Sequence, residues 1–269
     1  MIMIRKASVK DLSRIAEIGE DDISMMITLA AVGFKNGDIA YNKEKIKTVI
    51  RDHGNKQVDL ILFGETFLQG FDSLSWNYDS DKSIAVTKND PVIDEIRKTA
   101  KEYSVAVSFG YIEKTDDSLF SSQLTVGKDG EILDNFRRVS IGWKEPVADS
   151  HYKEGTGFHT FMFEDKKFAV GLCGDLWDDE NVEQMKRLNA DVVLWPVYTD
   201  FNYEEWNKTI KHEYAERAAR FGHSVFYVNS VCMDREGFEI ARGGATYFLD
   251  GRIKYQTPAG EESILYVMM

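Results

Sequence analysis

Short, almost continuous apolar runs recur along this chain, and they constrain its fold more than any other feature. The clearest occupy residues 58–63, 190–195 and 224–230. A short apolar run without polar alternation is typical of a strand that is buried on both faces. Sheets with both faces buried are covered by helices, so the runs predict an α/β fold.

Helical periodicity and turn signals separate these runs. Apolar residues at helical spacing predict four helices, over residues 42–52, 91–103, 180–189 and 206–221. Turn sequences predict three antiparallel hairpins, around residues 127–130, 164–166 and 250–251. Because strand–helix alternation is mixed with hairpins, we expect sheets that contain both parallel and antiparallel pairs.

The first 25 residues differ from the rest, with a predicted strand over 1–7 and a predicted helix over 11–20. This stretch resembles the opening of an acetyltransferase, but no acetyl-coenzyme A loop follows it. We therefore interpret residues 1–25 as an N-terminal extension and residues 26–269 as one domain, since no linker interrupts them.

Composition excludes several classes of function. The chain has 33 basic and 45 acidic residues, a net charge of −12, which disfavours general binding to nucleic acid or anionic membranes. Its two cysteines and five histidines do not suggest a disulfide framework or a metal site. No secretory leader or membrane-length apolar run is present, so a cytoplasmic protein is expected.

Cys173 is the first candidate for chemistry. It directly follows the apolar run 168–172 and precedes Gly174, whose amide could face a developing oxyanion. A cysteine at the end of a buried strand is held rigidly and can point into a cleft. The same position also suits an inert structural cysteine, and these residues alone do not decide between the two.

Charged residues follow two other predicted strands. Glu65 comes directly after the run 58–63, where desolvation would make a carboxylate a better base near neutral pH. Arg138 ends the strand that begins at residue 131, and Lys144 and Glu145 follow six and seven residues later. Cations near a thiol can stabilise a thiolate, although a solvated charge cluster would have the same sequence.

Together, three segments resemble the motifs of the nitrilase superfamily of carbon–nitrogen hydrolases. In chain order they read FGETFLQGF, NFRRVSIGWKEP and VGLCGDLWDDE. The resemblance extends over about residues 26–269. It implies a four-layer α-β-β-α sandwich with two mixed sheets, a homodimer or larger homo-oligomer, and chemistry without a metal or an organic cofactor.

The resemblance also implies a role for each matching residue. Glu65 would be the general base, and Cys173 would attack the substrate carbon and form a thioester. Glu145 would position the substrate, and the Gly174 amide would contribute to the oxyanion site. Arg138 occupies the position where the family has lysine.

The sequence departs from the family pattern at two places. With Arg138 in place of lysine, three readings stay open: Arg138 serves as the cation, Lys144 reaches the site instead, or catalysis is lost. After Cys173 the family's usual arginine is missing, which leaves substrate orientation open. Trp177 and Trp195 lie near the motifs and are candidates to line the pocket.

The sequence therefore predicts an amidase-type hydrolase that cleaves a small amide or carbamoyl compound. Two alternatives stay open. One is a non-catalytic member that binds a ligand or acts as a scaffold, and the other is acyl transfer to an amine. A small-molecule substrate is expected, without nucleic acid or membrane partners.

Overall fold

The computed structural model describes residues 25–54, 56–237 and 240–269. The strand and helix predicted within residues 1–20 lie outside these ranges. The strands are β1 Met26–Ala31, β2 Gly33–Phe34, β3 Leu60–Phe63, β4 Ala106–Lys114, β5 Leu119–Val126, β6 Ile132–Arg137, β7 Thr160–Phe163, β8 Lys166–Val170, β9 Val192–Val197, β10 Ser224–Asn229, β11 Val231–Cys232, β12 Ala245–Leu249, β13 Arg252–Thr257 and β14 Ser263–Met268. The α-helices are α1 Ile39–Gly54, α2 Tyr78–Asp81, α3 Pro91–Tyr103, α4 Asp179–Leu188, α5 Tyr203–Glu205 and α6 Lys211–Ala218.

Twelve of these strands form two six-stranded sheets. The first has the order β14-β1-β3-β4-β5-β6 and the second the order β13-β12-β10-β9-β8-β7. The inner strands β1, β3 and β4 run parallel, as do β8, β9 and β10. The other neighbours within these sheets are antiparallel. The predicted combination of mixed sheets is therefore confirmed.

Apolar side chains fill the three spaces between neighbouring layers of helices and sheets. One cluster joins the two sheets and includes Leu62, Phe168 and Phe226. A second packs α1 and α3 against the outer face of the first sheet. A third packs α4 and α6 against the outer face of the second. The layers are thus helix, sheet, sheet and helix, as the family resemblance implies.

Both sheets bring the carboxyl ends of parallel strands to one region. Strand β3 ends at Phe63, just before Glu65, and β8 ends at Val170, just before Cys173. The Glu65 amide donates to the Val197 carbonyl at the end of β9, at 3.2 Å. This bond joins the two sheets where the candidate residues lie.

Several elements differ from the sequence prediction, since the short strands β2 and β11 and the short helix α2 were also not predicted. Strand β14 was not predicted, and it pairs antiparallel with β1 at the edge of the first sheet. The predicted helix 206–221 begins earlier, at α5, and passes through a π-helix at Trp206–Ile210 before α6. Helix α3 has its predicted bounds, with Asp90 as a side-chain N-cap and Pro91 in its first turn.

Within the described ranges, no helix has the length and apolarity that a membrane crossing requires.

Candidate active site

Glu65 lies at the centre of the candidate site. Its side chain is buried, and its carboxylate accepts hydrogen bonds from three directions. Ser121 Oγ donates to Oε1 at 2.9 Å, and the Tyr198 amide donates to Oε2 at 3.3 Å. Arg138 Nη1 also donates to Oε1, at 2.9 Å. A buried carboxylate needs such partners, because burial without them is costly.

Arg138 connects Glu65 to the segment that contains Cys173 and Gly174. The side chain is buried, and its Nε donates to Ser140 Oγ at 2.9 Å. A Cβ atom added to Gly174 would come within 2.7 Å of Arg138 Nη2, so the guanidinium lies directly against that glycine. Burial lowers the pKa of Arg138, but the Glu65 charge raises it, and the net change is upward. Arg138 therefore stays charged between Glu65 and the segment that contains Cys173 and Gly174.

Cys173 begins a short 3₁₀ turn, Cys173–Trp177, and its φ is +43°. A non-glycine residue in the left-handed region carries strain, which persists only where the surroundings enforce it. Here Trp195 Nε1 donates to the Cys173 carbonyl at 2.9 Å. The Cys173 thiol donates to the Tyr198 carbonyl at 3.4 Å.

Burial and the Glu65 charge raise the pKa of the Cys173 thiol to about 12, although Arg138 acts to lower it. The resting sulfur is therefore a thiol at neutral pH. A thiol in this state must lose its proton to a base before or during attack.

Asp175 is a site residue that the sequence interpretation missed. Its buried carboxylate accepts from the amides of Val139 and Ser140 at 3.1 and 2.7 Å, and from the Leu172 amide at 3.0 Å. One side chain thus ties the segment that carries Arg138 to the segment that carries Cys173. The signal available in the sequence was an acidic residue two positions after a cysteine at a buried strand end.

Lys144 and Glu145 are not among the groups that contact Glu65. Lys144 Nζ donates to the Tyr152 carbonyl at 2.9 Å and forms an ion pair with Glu154 at 2.6 Å. Glu145 is exposed. The cation that pairs with Glu65 is Arg138.

The two tryptophans have different surroundings. Trp195 is fully buried, and it contacts the site through its hydrogen bond to Cys173. Trp177 is 41% exposed, and its ring packs edge-on against Tyr214 with centroids 5.0 Å apart. Of the two, Trp177 is the one with surface available to a ligand.

The sequence profile of the carbon–nitrogen hydrolase family matches residues 27–269. The chain therefore belongs to the carbon–nitrogen hydrolase family, a family of enzymes. Membership agrees with the four-layer sandwich.

Individual relatives span several activities. The chain is 21% identical over 247 residues to a glutamine-dependent NAD(+) synthetase of Acinetobacter baylyi, covering 90% of this chain and 44% of the relative. It is 29% identical over 210 residues to an arylacetonitrilase of Hypocrea virens, covering 68% and 61%. The chain thus spans about half the length of these curated relatives.

A solved structure supports the fold. An amidase from Nesterenkonia sp. superposes with a TM-score of 0.71 at 16% identity, covering 91% of this chain and 90% of the amidase.

Within the described residues, no cluster of three or more histidine, cysteine or acidic side chains has the arrangement of a metal site.

Proposed function

We propose that this protein hydrolyses a carbon–nitrogen bond of a small amide or carbamoyl compound through a thioester on Cys173. The observation that carries this proposal is the buried pair of Glu65 and Arg138, which lies beside the strained Cys173. Base, cation and thiol are the three groups that an acyl transfer through sulfur requires. Family membership supports the same reaction class.

The reaction has two halves in this proposal. Glu65 takes the thiol proton as sulfur bonds to the carbonyl carbon, and the negative charge moves to the carbonyl oxygen. The protonated Glu65 then gives this proton to the leaving nitrogen, and the carbon–nitrogen bond breaks. Ammonia or an amine departs, and the thioester remains on Cys173.

In the second half, Glu65 takes a proton from water while the water oxygen attacks the thioester carbon. The carbon–sulfur bond breaks, and the proton returns to the sulfur of Cys173. The products are a carboxylic acid and the free thiol. The high thiol pKa supports this use of a base, because few Cys173 side chains are already ionised at neutral pH.

Arg138 takes the place of the family lysine in this proposal. Its Nη1 holds Glu65, while its Nη2 lies against Gly174. A guanidinium has several donors in a fixed plane, so it can hold the base and face a developing oxyanion at once. The ion pair of Lys144 with Glu154 supports Arg138, rather than Lys144, as the catalytic cation.

Ammonia release tests the proposal. Wild-type protein, Cys173→Ala, Glu65→Gln and the control Cys232→Ala are incubated with a panel of small amides, carbamoyl compounds and nitriles. We expect release by wild type and Cys232→Ala, with at least a hundredfold loss in the other two, the scale of a missing acid–base group.

Two results would overturn or redirect the proposal. Unchanged turnover in Cys173→Ala would exclude the thioester. A silent wild type that still binds the amides would favour a non-catalytic binding protein. Added hydroxylamine distinguishes the third reading, because faster formation of the hydroxamate than of the acid indicates acyl transfer to an amine.

A further inference from the structure

One peptide unit binds the proposed base at two points. The carbonyl of Val197, at the end of β9, accepts from the Glu65 amide at 3.2 Å. The amide of Tyr198 belongs to the same peptide unit and donates to Glu65 Oε2 at 3.3 Å. Because a peptide unit is planar and rigid, its orientation determines where both the backbone and the carboxylate of Glu65 lie.

The next carbonyl along the chain faces the proposed nucleophile. The Cys173 thiol donates to the Tyr198 carbonyl at 3.4 Å. Tyr198 therefore binds Glu65 through its amide and Cys173 through its carbonyl. Proton transfer requires that the base lies within hydrogen-bond reach of the thiol. A rotation of the Tyr198 backbone would change this separation, although the proposed reaction uses no side-chain atom of Tyr198.

The side chain of Tyr198 is attached to the segment that carries Glu65. Its hydroxyl donates to Asp72, which lies in the 3₁₀ turn Phe71–Ser73 that follows Glu65 in the chain. Its ring stacks on Phe71, with centroids 5.2 Å apart and planes at 19°. Burial and the hydrogen bond to Asp72 raise the pKa of Tyr198, so the hydroxyl keeps its proton and remains a donor. Tyr198 thus contacts this segment through both its backbone and its side chain.

Two neighbouring sets of contacts do not depend on the Tyr198 hydroxyl. Asn229 Oδ1 accepts from the Thr199 amide at 3.3 Å, and Asn229 Nδ2 donates to the Thr199 carbonyl at 2.8 Å. Arg235 Nη2 donates to the Asp72 carbonyl at 3.1 Å. These bonds stabilise the chain after Tyr198 and the turn that carries Asp72. We therefore expect loss of the hydroxyl to reorient Tyr198 without unfolding the end of β9.

We propose that Tyr198 is a positioning residue, whose bond to Asp72 orients the backbone groups that bind Glu65 and Cys173 for proton transfer. This inference rests on the proposed function and adds a residue to it. Tyr198 acts through Glu65 and Cys173 and gives up no proton itself. Removal of its hydroxyl should therefore slow the chemical step and leave substrate binding almost unchanged.

Steady-state kinetics with an amide that wild type hydrolyses test this role. Tyr198→Phe keeps the stacked ring and removes the hydroxyl, and Asp72→Ala removes the acceptor. We expect each variant to lower kcat roughly tenfold, the scale of one hydrogen bond, and to change KM by less than about twofold. The two losses should not add in the double variant, because both remove the same bond.

Two further variants are controls for these losses. Asp72→Asn keeps a side-chain oxygen that can accept from Tyr198, so its kcat should lie between those of wild type and Asp72→Ala. Tyr266→Phe removes a hydroxyl that is bound to His53 on another part of the first sheet, and it should keep the wild-type kcat. A wild-type kcat in Tyr198→Phe, or a loss of equal size in Tyr266→Phe, would overturn the inference and leave the proposed function standing.

Alkylation of Cys173 by iodoacetamide separates failure of this inference from failure of the proposed function. The rate is measured against pH in the Cys232→Ala background, where Cys173 is the remaining cysteine, and urea denaturation checks that each variant is folded. If wild type hydrolyses no amide, slower alkylation at neutral pH in Tyr198→Phe than in Tyr266→Phe still supports the inference, because the thiol is then less well placed against its base. Alkylation of Tyr198→Phe at the wild-type rate or faster rejects it, since a purely structural role would lower stability without slowing the folded thiol.

Discussion

Three buried charges, on Glu65, Arg138 and Asp175, define the site at the scale of single residues. Arg138 Nη1 lies 2.9 Å from Glu65, and its Nε lies 3.9 Å from Asp175. One cation thus lies between two carboxylates beside a neutral thiol. Buried charges are costly unless they are paired and hydrogen-bonded, so each of the three depends on the others.

Two replacements of Arg138 distinguish the contribution of its charge to stability from the contribution of its shape. Arg138→Gln leaves the Glu65 carboxylate without its cation, and we expect a loss of about 3 kcal/mol in the free energy of unfolding. Arg138→Lys keeps the charge and should lose less. Urea denaturation of both variants measures the difference. Equal stability of wild type and Arg138→Gln would mean that the ion pair does not stabilise the fold.

The raised pKa of Asp175 should make the free energy of unfolding depend on pH. Burial raises its pKa to about 6, although Arg138 and the hydrogen bonds of Asp175 lower it. The folded protein therefore binds this proton more tightly than the unfolded chain does. The resulting stabilisation is fully present below the unfolded pKa of about 3.9 and is lost as the pH rises through about 6.

Asp175→Asn removes this titration. Relative to the variant, wild type should lose up to about 3 kcal/mol of stability between pH about 4 and about 7. Urea denaturation of both proteins across this range measures the difference, in which titrating groups distant from Asp175 cancel. A difference that is independent of pH, or that changes in the opposite direction, would contradict the raised pKa.

The sequence could predict candidate residues but not their contacts. Glu65 and Cys173 were found because each follows an apolar run and lies in a family-like motif. Asp175 was missed because its function depends on accepting three amides from segments that are distant in sequence or folded back on it. The partner of Lys144 was equally invisible, since Glu154 follows ten residues later in an irregular segment.

At the scale of secondary-structure elements, a close approach between β4 and the Glu65 turn positions the base. A Cβ atom on Gly110 would lie 2.1 Å from the Thr66 amide nitrogen and 2.7 Å from Glu65 Cα. Thr66 itself has a φ of +48°, so the turn already carries strain. Glycine at position 110 is what allows the turn to pack on the strand.

Gly110→Ala should therefore destabilise the protein by about 2 kcal/mol, within the range of overpacked cores. It should also reduce amide turnover, because the turn that carries Glu65 must move. Gly142→Ala is the control, since a Cβ atom there would meet no atom within 4 Å. Thermal denaturation and ammonia release measure both effects. Equal behaviour of the two variants would show that the contact is not restrictive.

Element prediction succeeded where the hydrophobic pattern was local. Helix α3 has a clear N-cap and an apolar face, and its bounds match the prediction. Strand β14 was missed because five of its six residues are only partly buried, which gives a weak pattern. Its place is determined by pairing with β1, more than 230 residues earlier in the chain.

At the scale of the whole molecule, the apolar cluster between the sheets fixes the position of Glu65 relative to Cys173. Glu65 follows β3 of the first sheet, while Cys173 follows β8 of the second. Phe168 is fully buried in this cluster and packs on Phe161, with centroids 5.5 Å apart. Loosening the cluster should therefore affect stability and the site together.

Phe168→Ala should cost about 4 kcal/mol of stability, as expected for an aromatic removed from a core. Met162→Ala is a matched control on the same hairpin, because Met162 is 59% exposed. We expect this control to change stability by less than about 0.5 kcal/mol. Urea denaturation measures both values, and a loss of similar size in the two variants would contradict the description of the cluster between the sheets.

Mass spectrometry of the protein quenched in acid during turnover of a small amide would detect the thioester itself. We expect an added mass equal to the amide minus ammonia, located on the peptide that contains Cys173. We expect no such mass in Cys173→Ala. An acyl group on another residue, or ammonia release by Cys173→Ala at the wild-type rate, would contradict the thioester mechanism.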